Sequence, residues 1–133
     1  SFPIIFSKKP SFFKKLPLNS CSTVGHYWVA MHLQKYVNYL NQLGRGDLSL
    51  HYVRDKEKQK VDFLLCDGRK PQLLIECKLA RTETSPALFY FAGLLGVKNV
   101  IQVSRERCDV RSYAKDGLRV RVLDAASFLK ELV

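Results

Sequence analysis

Apolar residues of this chain recur with a helical period in its first third. The pattern predicts a helix from about Thr23 to Leu43, which Ser22 or Thr23 can cap and which Gly44 can end. The expected apolar face consists of Trp28, Met31, Leu33, Tyr36, Val37, Leu40 and Leu43.

Two further helices are predicted from their end signals. Ser85 stands at an N-cap position, Pro86 at the first helical position and Gly96 just beyond the last turn. Asp124 is a second candidate N-cap, for a short final helix that runs through Leu132.

Apolar or alternating runs between turn residues predict strands. A turn is expected from Asp67 through Pro71, a charged loop over 105–115, and a possible strand near Phe6. The predicted strands are Leu48–Val53, Val61–Cys66, Gln72–Lys78, Val97–Ser104 and a last one containing Leu118, Val120 and Val122. The order α-β-β-β-α-β, followed by β-α, predicts an α/β fold with a mixed sheet flanked by helices.

Length and composition favour a single domain over 1–133, with a basic N-terminal segment (1–21) and a core (22–133). Apolar residues make up 47% of the chain and charged residues 26%, as in a globular protein. Apolar runs such as Ala87–Val97 are far shorter than a bilayer span, and we see no signal peptide, so a cytoplasmic location without a membrane partner is expected. Four scattered cysteines predict neither zinc nor disulfides.

The net charge of +10 favours a polyanionic partner, nucleic acid above all. A merely solvated basic surface, or a fragment cut from an acidic partner domain, is the alternative. The candidate phosphate contacts are Lys8, Lys9, Lys14, Lys15, Arg105, Arg107 and Arg111.

The candidate chemistry lies in the hairpin predicted between Val61 and Lys78. If its turn centres on Arg69, Asp62 and Glu76 are equally far from the centre and face each other, with Cβ atoms about 5 Å apart. Lys78 shares the face of Glu76 because side chains alternate along a strand. Two carboxylates and an ammonium group therefore gather among apolar neighbours.

A divalent cation, Mg²⁺ or Mn²⁺, would relieve the repulsion between these carboxylates. Asp62, Glu76 and the backbone carbonyl of Cys77 are the candidate metal ligands. Lys78 could orient or deprotonate water or steady phosphate charge, so Asp62, Glu76 and Lys78 are the candidate catalytic residues. In the alternative, Glu76 pairs with Lys78 or an arginine, and Asp62 is a plain strand-end carboxylate.

Asp62, followed by Glu76-Cys77-Lys78 at the end of an apolar strand and then by an amphipathic helix, resembles the core of the PD-(D/E)xK nuclease superfamily. Trp28–Leu33, Tyr52–Lys58, Val61–Phe63 and Leu94–Val97 resemble the C-terminal nuclease-like domain of prokaryotic AAA-type ATPases. The resemblance implies a restriction-endonuclease-like core, metal-dependent phosphodiester hydrolysis and an ATPase motor. The phosphate loop of such a motor, G-x-x-x-x-G-K-[ST], does not occur in this chain.

Three positions depart from the family pattern. The acid usual on the first helix corresponds to His26, the acid usual before Val-Asp-Phe is Lys60, and an aspartate common after the first strand is Ser7. The resemblance therefore supports the fold more directly than it supports catalysis.

Three functions stay open on the sequence. The first is a nuclease-like domain that binds DNA or RNA and hydrolyses it with Mg²⁺. The second is a catalytically inactive nuclease fold kept for nucleic-acid binding or subunit assembly. The third is an assembly domain for the missing ATPase, without a nucleic-acid role; the oligomeric state is left open.

Overall fold

The computed structural model describes residues 4–8, 21–55, 60–79 and 83–132. The described helices are α1 (Cys21–Gln42), α2 (Pro86–Leu95) and α3 (Ala125–Leu132). The described strands are β1 (Ile4–Lys8), β2 (Leu48–Asp55), β3 (Lys60–Asp67), β4 (Lys70–Lys78), β5 (Asn99–Ser104), β6 (Arg111–Lys115) and β7 (Leu118–Asp124).

The strands form one mixed sheet in the order β1-β2-β3-β4-β5-β7-β6. Strands β1 to β4 follow one another as antiparallel neighbours. Strands β4, β5 and β7 are parallel, because α2 carries the chain back between β4 and β5. The predicted α/β class, a mixed sheet flanked by helices, is confirmed.

Each face of the sheet carries its own apolar core. On one face, Leu64 and Leu74 pack with Leu88 and Phe91 of α2. On the other face, Phe63 and Ile75 belong to a cluster that also holds residues of α1 and α3, among them Val29, Ala30, Leu33 and Phe128. We call these the α2 face and the α1 face. Because side chains alternate along a strand, Glu76 follows Leu74 on the α2 face.

The charged loop predicted over 105–115 is wrong in its second half, which forms the edge strand β6. Strand β6 pairs with β7 through a two-residue turn, Asp116-Gly117, in which both residues have positive φ, 53° and 79°. An Asp-Gly pair is a strong hairpin signal. The apolar pattern hides this strand because an edge strand buries little of its surface.

The helix predicted over 23–43 is observed two residues earlier, but its apolar face is narrower than expected. Leu33 and Val37 are buried, whereas the side chains of Trp28 (58%) and Met31 (39%) are exposed. Leu43, 50% exposed, lies beyond the end of the helix. Within the described residues, no helix combines the length and the apolar character that a membrane crossing requires.

Candidate functional site

Buried polar side chains of the described residues gather where the parallel strands end. The buried polar and charged residues are Asp62, Glu76, Gln102, Ser104 and Asp124. The register connects them, because Glu76 faces Gln102 on β5 and Ser104 faces Asp124 on β7. Burying polar groups is unfavourable unless they have partners. This edge of the sheet is therefore the candidate functional site.

The predicted register of the β3–β4 hairpin is confirmed for the pairs from Phe63 to Leu65 but is shifted by one residue next to the turn. Phe63 faces Ile75 and Leu65 faces Leu73, so the next position in the same register brings Asp62 beside Glu76. The turn is tighter than predicted, because β3 runs to Asp67 and β4 already begins at Lys70. A register shift after Leu65 accommodates the shorter turn.

The strands separate at Asp62 and Glu76, and we call this point the fork. Beyond it, β3 stays paired with β2, while β4 stays paired with β5 up to Lys78. The register of β2 against β3 shifts between His51 and Val53, which leaves an extra residue on β3 around Asp62. Such a bulge bends a strand and redirects a side chain.

At the fork, the Asp62 side chain takes the place of a backbone hydrogen-bond acceptor for β4. Its Oδ2 accepts a hydrogen bond from the backbone N–H of Cys77 at 2.8 Å. The N–H and C=O of one strand residue project toward the same neighbour, so the Cys77 carbonyl lies on the side of the fork. The structure thus brings together the three predicted metal ligands, Asp62, Glu76 and the Cys77 carbonyl.

Glu76 is held in its protonated form by its surroundings. The residue is 6% exposed and Asp62 is 8% exposed. Burial, the negative charge of Asp62 and a hydrogen bond with Asp62 raise the pKa of Glu76 to about 9. We call Asp62 and Glu76 the acid pair; at neutral pH it shares one proton.

Two lysines partly offset the raised pKa of Glu76. The charges of Lys78 and Lys60 lower the pKa of Glu76, but they offset only part of the increase. Lys78 is half-buried and shares the α2 face with Glu76, whereas Lys60 is exposed at the start of β3. Asp62 therefore has a larger effect on the pKa of Glu76 than either lysine has.

Gln102 joins the site to the start of α2, although the sequence assigns it no chemistry. The fully buried amide accepts a hydrogen bond from the backbone N–H of Ser85 at 3.1 Å. Its Nε2 donates to the backbone carbonyl of Glu83 at 3.5 Å. Ser85 occupies the N-cap position as predicted, but its hydroxyl caps no N–H group. A glutamine between Ile101 and Val103 was the available signal.

Asp124, at the end of β7, is the last buried polar residue along this edge of the sheet. Its predicted N-cap role is confirmed. Its Oδ1 accepts from the N–H of Ser127 at 2.8 Å, and its Oδ2 accepts from the N–H of Cys108 at 3.2 Å. These hydrogen bonds, together with the charge of Arg107, lower the pKa of Asp124. Its partners identify Asp124 as a structural residue.

The predicted phosphate contacts are distributed unevenly. Arg105 follows β5, and its N–H donates to the carbonyl of Lys78 at 2.9 Å, which brings it to the site. Arg107 lies near Asp124, and Arg111 lies on β6. Lys9, Lys14 and Lys15 lie outside the described residues, as do the side chains of Lys8 and His26.

Two carboxylates and a carbonyl fit the low protein-ligand count that Mg²⁺ accepts. A cation could replace the shared proton between the two acids. Among the described side chains, however, no three His, Cys, Asp or Glu come together as a metal-binding group. The donor set thus fits a site completed largely by water and substrate oxygens.

No protein-family model matches this chain, and neither does any curated protein.

Proposed function

We propose that this chain is a nuclease-like domain with a restriction-endonuclease-like core of the PD-(D/E)xK type, which binds nucleic acid and hydrolyses its phosphodiester bonds with Mg²⁺ or Mn²⁺. The observation that carries the proposal is the buried acid pair at the fork, with Lys78 on the same face. The resemblance of several segments to C-terminal domains of AAA-type ATPases supports an ATPase motor as the functional partner.

Each residue of the fork has a role in this proposal. Asp62, Glu76 and the Cys77 carbonyl would hold the cation. A bound divalent cation supplies Lewis-acid polarisation of the phosphate and lowers the pKa of water. Lys78 would stabilise the negative charge that develops on the phosphate oxygens. Glu76 would have to lose its proton to act as a ligand, so metal binding would strengthen as the pH rises.

Metal titration with a parallel hydrolysis assay tests this function. We would titrate Mg²⁺ and Mn²⁺ by calorimetry into wild type, Asp62→Asn, Glu76→Gln and the control Asp109→Asn, which removes an exposed acid outside the acid pair. The expected result is saturable binding and metal-dependent cleavage of plasmid or single-stranded DNA in wild type and control only. Folded wild type that neither binds metal nor cleaves would refute the catalytic role.

A second candidate function is a nuclease fold that binds nucleic acid without cleaving it. The shared proton of the acid pair and the Cys77 N–H on Asp62 favour it, because both already satisfy the carboxylates without metal. This candidate predicts that Asp62→Asn leaves nucleic-acid binding unchanged and that wild type is inactive. Cleavage lost separately in Asp62→Asn and Lys78→Ala, in folded proteins, would exclude it.

A further inference from the structure

Exposed residues of the edge strand β6 lie in register with the acid pair, across the sheet. Arg111 faces Val122 on β7, Val122 faces Gln102 on β5, and Gln102 faces Glu76 on β4. Arg111 and Glu76 therefore stand in one row across the sheet, three strand spacings or about 14 Å apart.

Arg111, Tyr113 and Lys115 share one face of β6, because alternate residues of a strand point the same way. Tyr113 packs against the cluster that contains Leu74 and Leu88, so this is the α2 face. Glu76 and Lys78 lie on the same face. A ligand that crosses the α2 face at this edge can contact both β6 and the fork.

A surface depression of about 500 Å³ lies between α2 and β6, and we call it the Tyr113 groove. Its volume is within the range of small-ligand sites. Its lining residues are Glu83, Thr84, Phe89, Arg111, Tyr113 and Lys115.

The groove combines cations with aromatic rings. The Arg111 guanidinium carbon lies 5.5 Å from the centroid of the Tyr113 ring, and Lys115 Nζ lies 4.8 Å from the centroid of Phe89. The Tyr113 hydroxyl and Thr84 Oγ1 are hydrogen-bonded at 2.6 Å, which fixes the ring. Exposed cations beside aromatic rings suit a ligand that has both phosphates and flat bases.

The wall of the groove is connected to β5 by hydrogen bonds of Gln102. Glu83 and Thr84 precede α2, and the backbone on either side of Thr84 is held by the buried Gln102. Gln102 is also the β5 partner of Glu76. The segment that lines the groove is thus held by the residue that pairs with Glu76 in the sheet.

We propose that the Tyr113 groove is a subsite for single-stranded nucleic acid, in which a base lies against Tyr113 and Phe89 while Arg111 and Lys115 contact phosphates. This extends the proposed function by naming its substrate class.

The test is binding of a fluorescent oligothymidylate, measured by anisotropy in EDTA so that no metal contributes. Arg111→Gln/Lys115→Gln removes the two groove cations. Arg119→Gln/Lys130→Gln is the matched control, since it removes the same charge from exposed residues on β7 and α3. Tyr113→Leu removes the ring but keeps apolar bulk, and circular dichroism checks each fold.

We expect the groove double variant and Tyr113→Leu each to weaken binding at least about fivefold, and the control to change it less than twofold. Equal losses in groove and control variants would overturn the proposal, because binding would then follow net charge alone. Unchanged binding in Tyr113→Leu, with inorganic polyphosphate competing as well as DNA, would overturn it too. Because binding is measured in EDTA, without metal-dependent hydrolysis, loss of this subsite is told apart from loss of hydrolysis.

Discussion

At the residue scale, the acid pair makes the stability of the protein depend on pH in an unusual direction. The pKa of Glu76 is raised, so between pH 4.5 and about 9 the folded protein holds a proton that the unfolded chain has released. The free energy of unfolding therefore falls as the pH rises through this range. Most paired carboxylates have the opposite effect.

Glu76→Gln should remove this dependence, because an amide donates to Asp62 as the protonated acid does but cannot ionise. We expect the wild type to lose up to about 1.4 kcal/mol of unfolding free energy per pH unit relative to Glu76→Gln. Urea denaturation from pH 5 to 9 measures this difference. A difference that stays constant with pH would contradict the raised pKa of Glu76.

Asp62 also has a structural role that can be separated from metal binding. Asp62→Leu leaves the Cys77 N–H without its acceptor at the fork, which should reduce the unfolding free energy by about 1–3 kcal/mol. Asp62→Asn keeps an acceptor oxygen and should lose less. Urea unfolding of both variants without metal checks the order; equal losses would refute this role.

At the element scale, α3 depends on a cap that the sequence already indicated. Asp124→Ala should lower the unfolding free energy by about 1–2 kcal/mol at pH 7, because the N–H groups of Ser127 and Cys108 lose their acceptor. Asp124→Asn, which retains an oxygen, is the matched control.

The lowered pKa of Asp124 means that the carboxylate's contribution to the free energy of unfolding is present above pH 3.8 and is lost as the pH falls through the folded-state pKa. Thermal unfolding at pH 7 and pH 3 tests both statements.

Elements with strong end signals or buried alternation were predictable. Pro86 and Gly96 bracket α2, and Gly96 has the left-handed conformation, φ 71°, that ends such helices. Strand β6 was not predicted, because its five residues are exposed or half-buried and follow no apolar pattern. Strand β6 forms because the Asp116-Gly117 turn brings it into antiparallel pairing with β7.

At the scale of the whole molecule, the net charge of +10 should make nucleic-acid binding sensitive to salt. With about four phosphate contacts, affinity for single-stranded DNA should fall by roughly 50-fold between 50 and 200 mM salt. Removing Arg111 and Lys115 should reduce the slope of log affinity against log salt by about 1.4. Anisotropy titrations at four salt concentrations measure the slope, and a slope near zero would argue against phosphate contacts.

The local sequence by itself determined the helices, most strands and the neighbourhood of Asp62 and Glu76, because periodicity and hairpin register act over a few residues. Only the tertiary structure decided the surroundings of these two acids and the pKa of Glu76. The bulge on β3 and its separation from β4 depend on how β3 and β4 pair with their other neighbours, β2 and β5. The position of Gln102 depends on the pairing of β4 with β5, which follows only after α2. Desolvation, the largest cause of the raised pKa of Glu76, is likewise a property of the packed sheet, because other strands and helices have to cover the side chain.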